Sequence, residues 1–149
     1  MIWLLGLCAA EYVEISQRNE ATIIGGPRPS LVKFYFPGCP HCDGMAPAFA
    51  RAAQSDNGAL FGGVDCSQHE GICEKFNVQG YPTVLFFQSG SRNGVEYMGD
   101  RSPKSFTNFV RLQLNSQNSD SSFAGKNRHR HSRRNRVNKI IESLAKQAQ

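Results

Sequence analysis

Two cysteines stand two residues apart in the stretch FYFPGCPHCDG, Phe34 to Gly44. Such a pair can hold half of a metal site, close a small structural disulfide, or carry two electrons as a redox couple. Position helps to separate these readings. Cys39 and Cys42 follow a β-rich apolar run and open a helical stretch. A helix N-terminus offers unpaired N–H groups and a positive dipole end, which favour a thiolate on Cys39. His41, between the cysteines, adds a donor and a charge when protonated. Only a thiolate attacks a disulfide, so Cys39 is the expected nucleophile, and Cys42, within the first turn, resolves the mixed disulfide. The zinc reading needs two Cys-x-x-Cys knuckles, and the second pair here, Cys66 and Cys73, has six residues between its members. His41 and His69 complete a zinc site only on paper. A purely structural Cys39–Cys42 bridge would close too small a loop to stabilise much. No metal and no cofactor are expected.

The elements that must position this pair can be read from periodicity. Glu11–Ile15 alternates as a short strand, and Asn19–Ile24 suits a short helix ended by Gly25-Gly26-Pro27. Leu31–Phe36 is a buried strand by its apolar content, broken by Pro37-Gly38. A helix is expected from about Pro40 to Asn57, with Met45, Ala48, Phe49 and Ala52 on one face and a kink at Pro47. Leu60–Asp65 reads as a strand. Ser67–Phe76 reads as a helix opened by a Ser67/Glu70 capping box. Thr83–Gln88 and Val95–Met98 make a hairpin, and Ser102-Pro103 caps a last helix to about Asn115. The order β-α-β-α-β-α-β-β-α predicts an α/β fold: a mixed, mostly parallel sheet with helices on both faces and an antiparallel edge from the closing hairpin. Leu31–Phe36 and Thr83–Gln88 should lie at its centre.

Charge divides the chain differently. Residues 1–125 hold nine Lys/Arg against eleven Asp/Glu; residues 126–149 hold eight against one. The basic character therefore belongs to a tail and says nothing of the core. MIWLLGLCAA, residues 1–10, is too short to span a bilayer. It reads as a secretory signal with Ala10 at the cleavage point, although it lacks a basic start; the competing reading is a buried first strand. Removal of Cys8 would leave four cysteines, enough for two pairs, and in a secretory chain these read as disulfides. Residues 11–115 form the expected domain. Residues 116–136 are a polar and then basic linker. Residues 137–148 place Val137, Ile140, Ile141 and Leu144 on one face of a short amphipathic helix. That tail suits an acidic partner or a membrane surface; no nucleic acid is expected. The chain ends in KQAQ with no KDEL-type signal, which leaves retention in the endoplasmic reticulum open.

LVKFYFPGCPHCDGMAP resembles the active-site segment of thioredoxin-fold domains, and most of all that of protein disulfide isomerases. VDCSQHEGICEKFNVQGYPTVLFF resembles the next half of the same domains, and the similarity covers about Tyr12–Leu114. The resemblance implies several roles. Tyr81-Pro82 would be a cis-proline loop facing the cysteines and holding substrate backbone. Cys66 and Cys73 would form a second, structural disulfide, the alternative being two free buried thiols. Arg101 would swing toward Cys42 and promote its ionisation, the alternative being a solvated arginine before a helix. The implied function is thiol–disulfide exchange on protein cysteines, with glutathione or a redox protein as electron partner. The alternatives are a chaperone or adaptor module with weak turnover, and a cytosolic thioredoxin-like reductant.

Five departures from the pattern stand out. Lys33 occupies the place of a buried acid that, by the resemblance, relays the proton of the second cysteine. A lysine there can be neutral, can extend its amine to water, or can pair with an acid, and a nearby cation would favour a thiolate. Gly63 stands where the lysine partner of that acid is usual, so the whole ion pair is gone. Gly38 replaces the active-site tryptophan, and Asp43 the lysine after the second cysteine; the acid should disfavour a neighbouring thiolate. Finally, Pro40-His41 between the cysteines resembles strongly oxidising bacterial periplasmic enzymes. Potentials of Cys-x-x-Cys proteins span roughly −270 to −120 mV, and a value away from the thioredoxin end is expected.

Overall fold

Every second residue of the central strands is apolar toward one side, and the computed structural model shows what each side meets. It describes residues 12–55 and 58–116. The expected signal 1–10, nearly all of the linker and the amphipathic helix 137–148 lie outside the described residues. The chain divides into two units, Met1–Leu112 and Gln113–Gln149, and the sheet and both cysteine pairs lie in the first.

The elements are β1 (Tyr12–Glu14), α1 (Glu20–Ile23), β2 (Ser30–Tyr35), α2 (Pro40–Ala53), β3 (Leu60–Asp65), α3 (Glu70–Lys75), β4 (Thr83–Phe87) and β5 (Gly94–Glu96). A last helix, α4, covers residues 103–116. The strand order is β1-β3-β2-β4-β5. β1 and β2 both run parallel to β3, whereas β4 is antiparallel to β2 and to β5. The mixed sheet is as read from the sequence, but its antiparallel part begins at β2–β4, one strand before the closing hairpin. β2 is central and β4 is its neighbour.

Side chains alternate across each strand, so the sheet has two inner faces. On one face Val32, Phe34, Val64, Leu85 and Phe87 pack with Ile24, Ile72 and the Cys66 and Cys73 sulfurs. Phe76 closes this layer, its ring 5.8 Å from Phe34 and 5.1 Å from Phe87. On the other face Phe49 of α2 lies 5.1 Å from Phe61 and 5.3 Å from Phe106 of α4, and Phe86 lies 6.2 Å from Phe109. Each fully buried phenylalanine contributes about 2–3 kcal/mol by removal from water. These rings anchor α2 and hence its N-terminus.

Two helix limits differ from the sequence reading. α2 ends at Ala53, before Asn57, and it continues through Pro47. α3 starts at Glu70, and Ser67 caps nothing there. Instead the Asp65 carboxylate accepts from the Ser67 N–H at 2.9 Å, the Ser67 hydroxyl at 2.6 Å and the Gln68 amide at 2.8 Å. The acid at the end of β3 outcompetes the helix for the serine, and residues 66–68 form a turn. At α4 the Ser102 hydroxyl does accept from the Ser105 N–H, at 3.2 Å.

Candidate active site

β2 ends at Tyr35, and Pro37-Gly38 turns the chain, Gly38 with φ +79°. Nothing lies within 4 Å of where a Gly38 side chain would begin, so the turn is open to solvent. Cys39 is the N-cap of α2, with Pro40 just inside the helix. Proline fits there because that N–H would have no helical partner. The Cys39 carbonyl accepts the Cys42 and Asp43 N–H groups, each at 3.0 Å.

Both cysteines are free thiols, Cys39 partly exposed and Cys42 buried. Their acidities move apart. The Cys42 thiol, followed by the Cys42 N–H, holds Cys39 below the ordinary thiol range; burial and the Asp43 charge oppose this. Burial pushes Cys42 up, and its proton is further held by Cys39. The two neighbouring thiols are thus split in acidity, Cys39 being the more acidic. The more acidic sulfur is the one that reaches solvent.

Facing Cys39 is Tyr81, joined to Pro82 by a cis peptide bond. The Cys39 thiol donates to the Tyr81 carbonyl at 3.9 Å. The Tyr81 ring is 39% exposed and lies 5.8 Å from that of Phe36, 45% exposed. The sequence reading puts Phe36 at the end of a buried strand; it lies instead just past β2 and is exposed, where it adds an apolar ring to the site. Arg101 is exposed and donates to the His41 carbonyl at 3.3 Å. His41 and Pro40 are exposed on the first turn. On the far side of the sheet Cys66 and Cys73 are joined, S–S 2.06 Å and Cα–Cα 5.9 Å, which leaves no thiolate there for zinc.

Lys33 is 9% exposed and lies beneath the site. Its amine is 4.8 Å from the centre of the Tyr35 ring, 5.1 Å from Tyr12 and 5.7 Å from Phe49. Among the described residues no carboxylate comes within salt-bridge distance of it; the ion pairs there join Glu20 to Lys75 and Arg92. Instead Glu14 accepts from the Tyr12 hydroxyl at 2.7 Å and the Tyr35 hydroxyl at 3.2 Å. Burial and this carboxylate push Tyr35 up to about 12 and Tyr12 higher still. Burial holds the Lys33 pKa below the ordinary lysine value, and the charges of Glu14, Cys42 and Asp43 offset this only in part. Gly63 sits opposite Lys33 in the β2–β3 register. A Cβ on Gly63 would overlap the Tyr12 hydroxyl and meet Lys33 Cε at 3.1 Å.

The thioredoxin family model matches residues 12–112. The chain belongs to the thioredoxin family. Its thioredoxin domain is 32% identical over 115 residues to a probable protein disulfide-isomerase A6 of Medicago sativa, covering 75% of this chain and 32% of that protein. It is 37% identical over 106 residues to protein disulfide isomerase-like 2-2 of Oryza sativa subsp. japonica, covering 69% and 29%. Among solved structures, the J-Trx1 fragment of ERdj5 superposes with a TM-score of 0.64 at 28% identity, over 69% of this chain and 50% of that one. The chain spans about a third of the length of the curated relatives it matches.

Proposed function

We propose that this thioredoxin domain catalyses thiol–disulfide exchange on protein cysteines, as a protein disulfide isomerase-like oxidoreductase. The observation that carries this reading is the split between two neighbouring sulfurs at one helix end. Cys39 is solvent-facing with its acidity raised, while Cys42 is buried and its acidity is lowered. Cys39 attacks a substrate disulfide, or receives one, and Cys42 resolves the mixed species. The Tyr81 carbonyl and the Phe36–Tyr81 rings flank the sulfur where substrate backbone must pass. His41 and Pro40 shape the first turn, and Arg101 is bonded to it through the His41 carbonyl.

On this reading the work belongs to the secretory pathway, in the lumen of the endoplasmic reticulum or, as the alternative, after secretion. The Cys66–Cys73 disulfide supports this, since such bonds persist in oxidising compartments. Among the described residues no helix is long and apolar enough to cross a membrane. Cysteine-containing proteins are the substrates, and glutathione or a redox protein is the electron partner. The basic tail contacts an acidic partner or a membrane surface. Reduction of insulin by the full chain tests the reading. Turnover that disappears in Cys39→Ala supports it. Peptide binding with no turnover in the unsubstituted chain would overturn it in favour of a binding module.

A further inference from the structure

The three rings around the Lys33 amine form a box whose faces carry partial negative charge. An ammonium gains from each face, whereas a neutral amine gains little. Glu14, tied to the rim by both tyrosine hydroxyls, adds negative potential without touching the amine. Gly63 leaves the space that Tyr12 and the lysine stem occupy. Cys42 and Phe49 are seven residues apart on α2, hence on one helical face, and Phe49 is a wall of the box. The box thus sits against the α2 face that carries Cys42, and the Cys42 charge acts on Lys33.

We propose that Lys33 is a positioning charge, held as an ammonium by the aromatic box, that stabilises the Cys42 thiolate when the mixed disulfide is resolved. The proposal rests on the exchange function above. In the dithiol, a hydrogen bond to Cys39 raises the Cys42 pKa. In the mixed disulfide Cys39 is covalently occupied and that acceptor is lost. Burial then opposes ionisation of Cys42, and Lys33 offsets it. The Cys42 proton leaves to solvent, because Lys33 already carries its own. The Cys42 thiolate attacks the Cys39 sulfur, and the Cys39–substrate S–S bond breaks as the Cys39–Cys42 bond forms. The substrate sulfur departs with the electron pair as a thiolate. The enzyme pair is oxidised and the substrate disulfide reduced; oxidation of substrate runs the same step backwards. A carboxylate can accept the proton but repels the thiolate. The boxed lysine does the reverse, so it shifts an equilibrium charge and relays no proton.

The groups that bear on this titration are Tyr12 and Glu14 from β1, Tyr35 from β2, Asp43 and Cys39 from α2, and Arg101 at the His41 carbonyl. In the full chain carrying Cys39→Ser, which removes the Cys39 thiolate as occupation does, the pH dependence of Cys42 alkylation is read at that site by peptide mass. Lys33→Met and Lys33→Gln should each move the midpoint up by about one unit, and Lys33→Glu further. An unmoved midpoint in the two neutral variants overturns the proposal. Nitrogen NMR of the Lys33 amine in the unsubstituted chain guards against variants that do not fold. An ammonium at pH 7 is expected, and a neutral amine there overturns the proposal. Loss of insulin reduction in the unsubstituted chain would instead sink the exchange reading, while leaving the titration result standing.

Discussion

The two cysteine pairs are built alike and end up opposite. Each begins just beyond a strand, β2 or β3, and has a member within the helix that follows. Cys66 and Cys73 are both buried, at 4% and 3% exposure, and are bonded to each other. Cys42 is as buried as they are, at 4%; only Cys39 is partly open. The contrast lies in the turns. After β3 the Asp65 carboxylate gathers Ser67 and Gln68 and folds Cys66 inward. After β2 the Pro37-Gly38 turn carries no side chain at its tip and leaves Cys39 facing solvent. Reactivity therefore depends on one exposed sulfur, and structural service on having none.

The largest test of this contrast exchanges the pairs' fates. Cys39→Ala should reduce insulin turnover to the uncatalysed background, whereas the Cys66→Ala/Cys73→Ala double variant should retain turnover. A loss of turnover in the double variant at temperatures where it stays folded would break the division of labour. Next in size, that double variant should lose about 2–3 kcal/mol from freed chain entropy. For a domain of this size the melting temperature should fall by about 10 °C, as thermal unfolding would show.

Asp65→Asn probes the turn that hides the second pair. Burial pushes the Asp65 carboxyl up, but bonds from Ser67 and Gln68 together hold it below the usual range. Its folded pKa is thus depressed, so its stabilisation is present above the ordinary carboxylate pKa and is lost as pH falls through the folded value. The variant should cost about 1 kcal/mol at pH 7 by denaturant unfolding and nothing below the folded pKa. An equal cost at both pH values would point to packing instead of charge. The smallest effect concerns Asp43, whose charge raises both active-site thiols. Asp43→Asn should lower the pH midpoint of Cys39 alkylation by a few tenths of a unit, roughly the scale of an exposed pair. A rise in that midpoint would show that the carboxylate helps the thiolate by some other route.

Much of this was legible in the sequence because it is local. The apolar run into Cys39, the proline inside the helix start and the Ser102-Pro103 cap are all short-range signals, and so the strands and most helices fell where periodicity put them. The antiparallel β2–β4 pairing was not legible, since nothing in Thr83–Phe87 itself states its neighbour's direction. Ser67 was misread because the Ser-x-x-Glu spacing does not reveal a competing carboxylate two residues upstream. Lys33 stood out as a departure, but its surroundings did not. Tyr12, Tyr35 and Phe49 come from three elements and meet only when β1, β2 and α2 are assembled. The Gly63 substitution was the one trace of that box in the sequence, and it was readable only as a missing ion pair.

Gly63 also ties together the substitutions that this site can accept. A residue with any side chain there collides with Tyr12, and so disturbs the hydroxyl that holds Glu14 and the ring that covers Lys33. Positions 12, 33 and 63 are therefore epistatic: the effect of changing one depends on the occupants of the other two. Restoring an acid at position 33 alone would place it against the Tyr12 and Tyr35 rings with no cation beside it. Restoring a lysine at 63 alone would crowd a second cation into the same space. A buried ion pair across positions 33 and 63 therefore needs both residues changed together. The glycine thus works as a latch on the chemistry of the site, although it makes no contact with either sulfur.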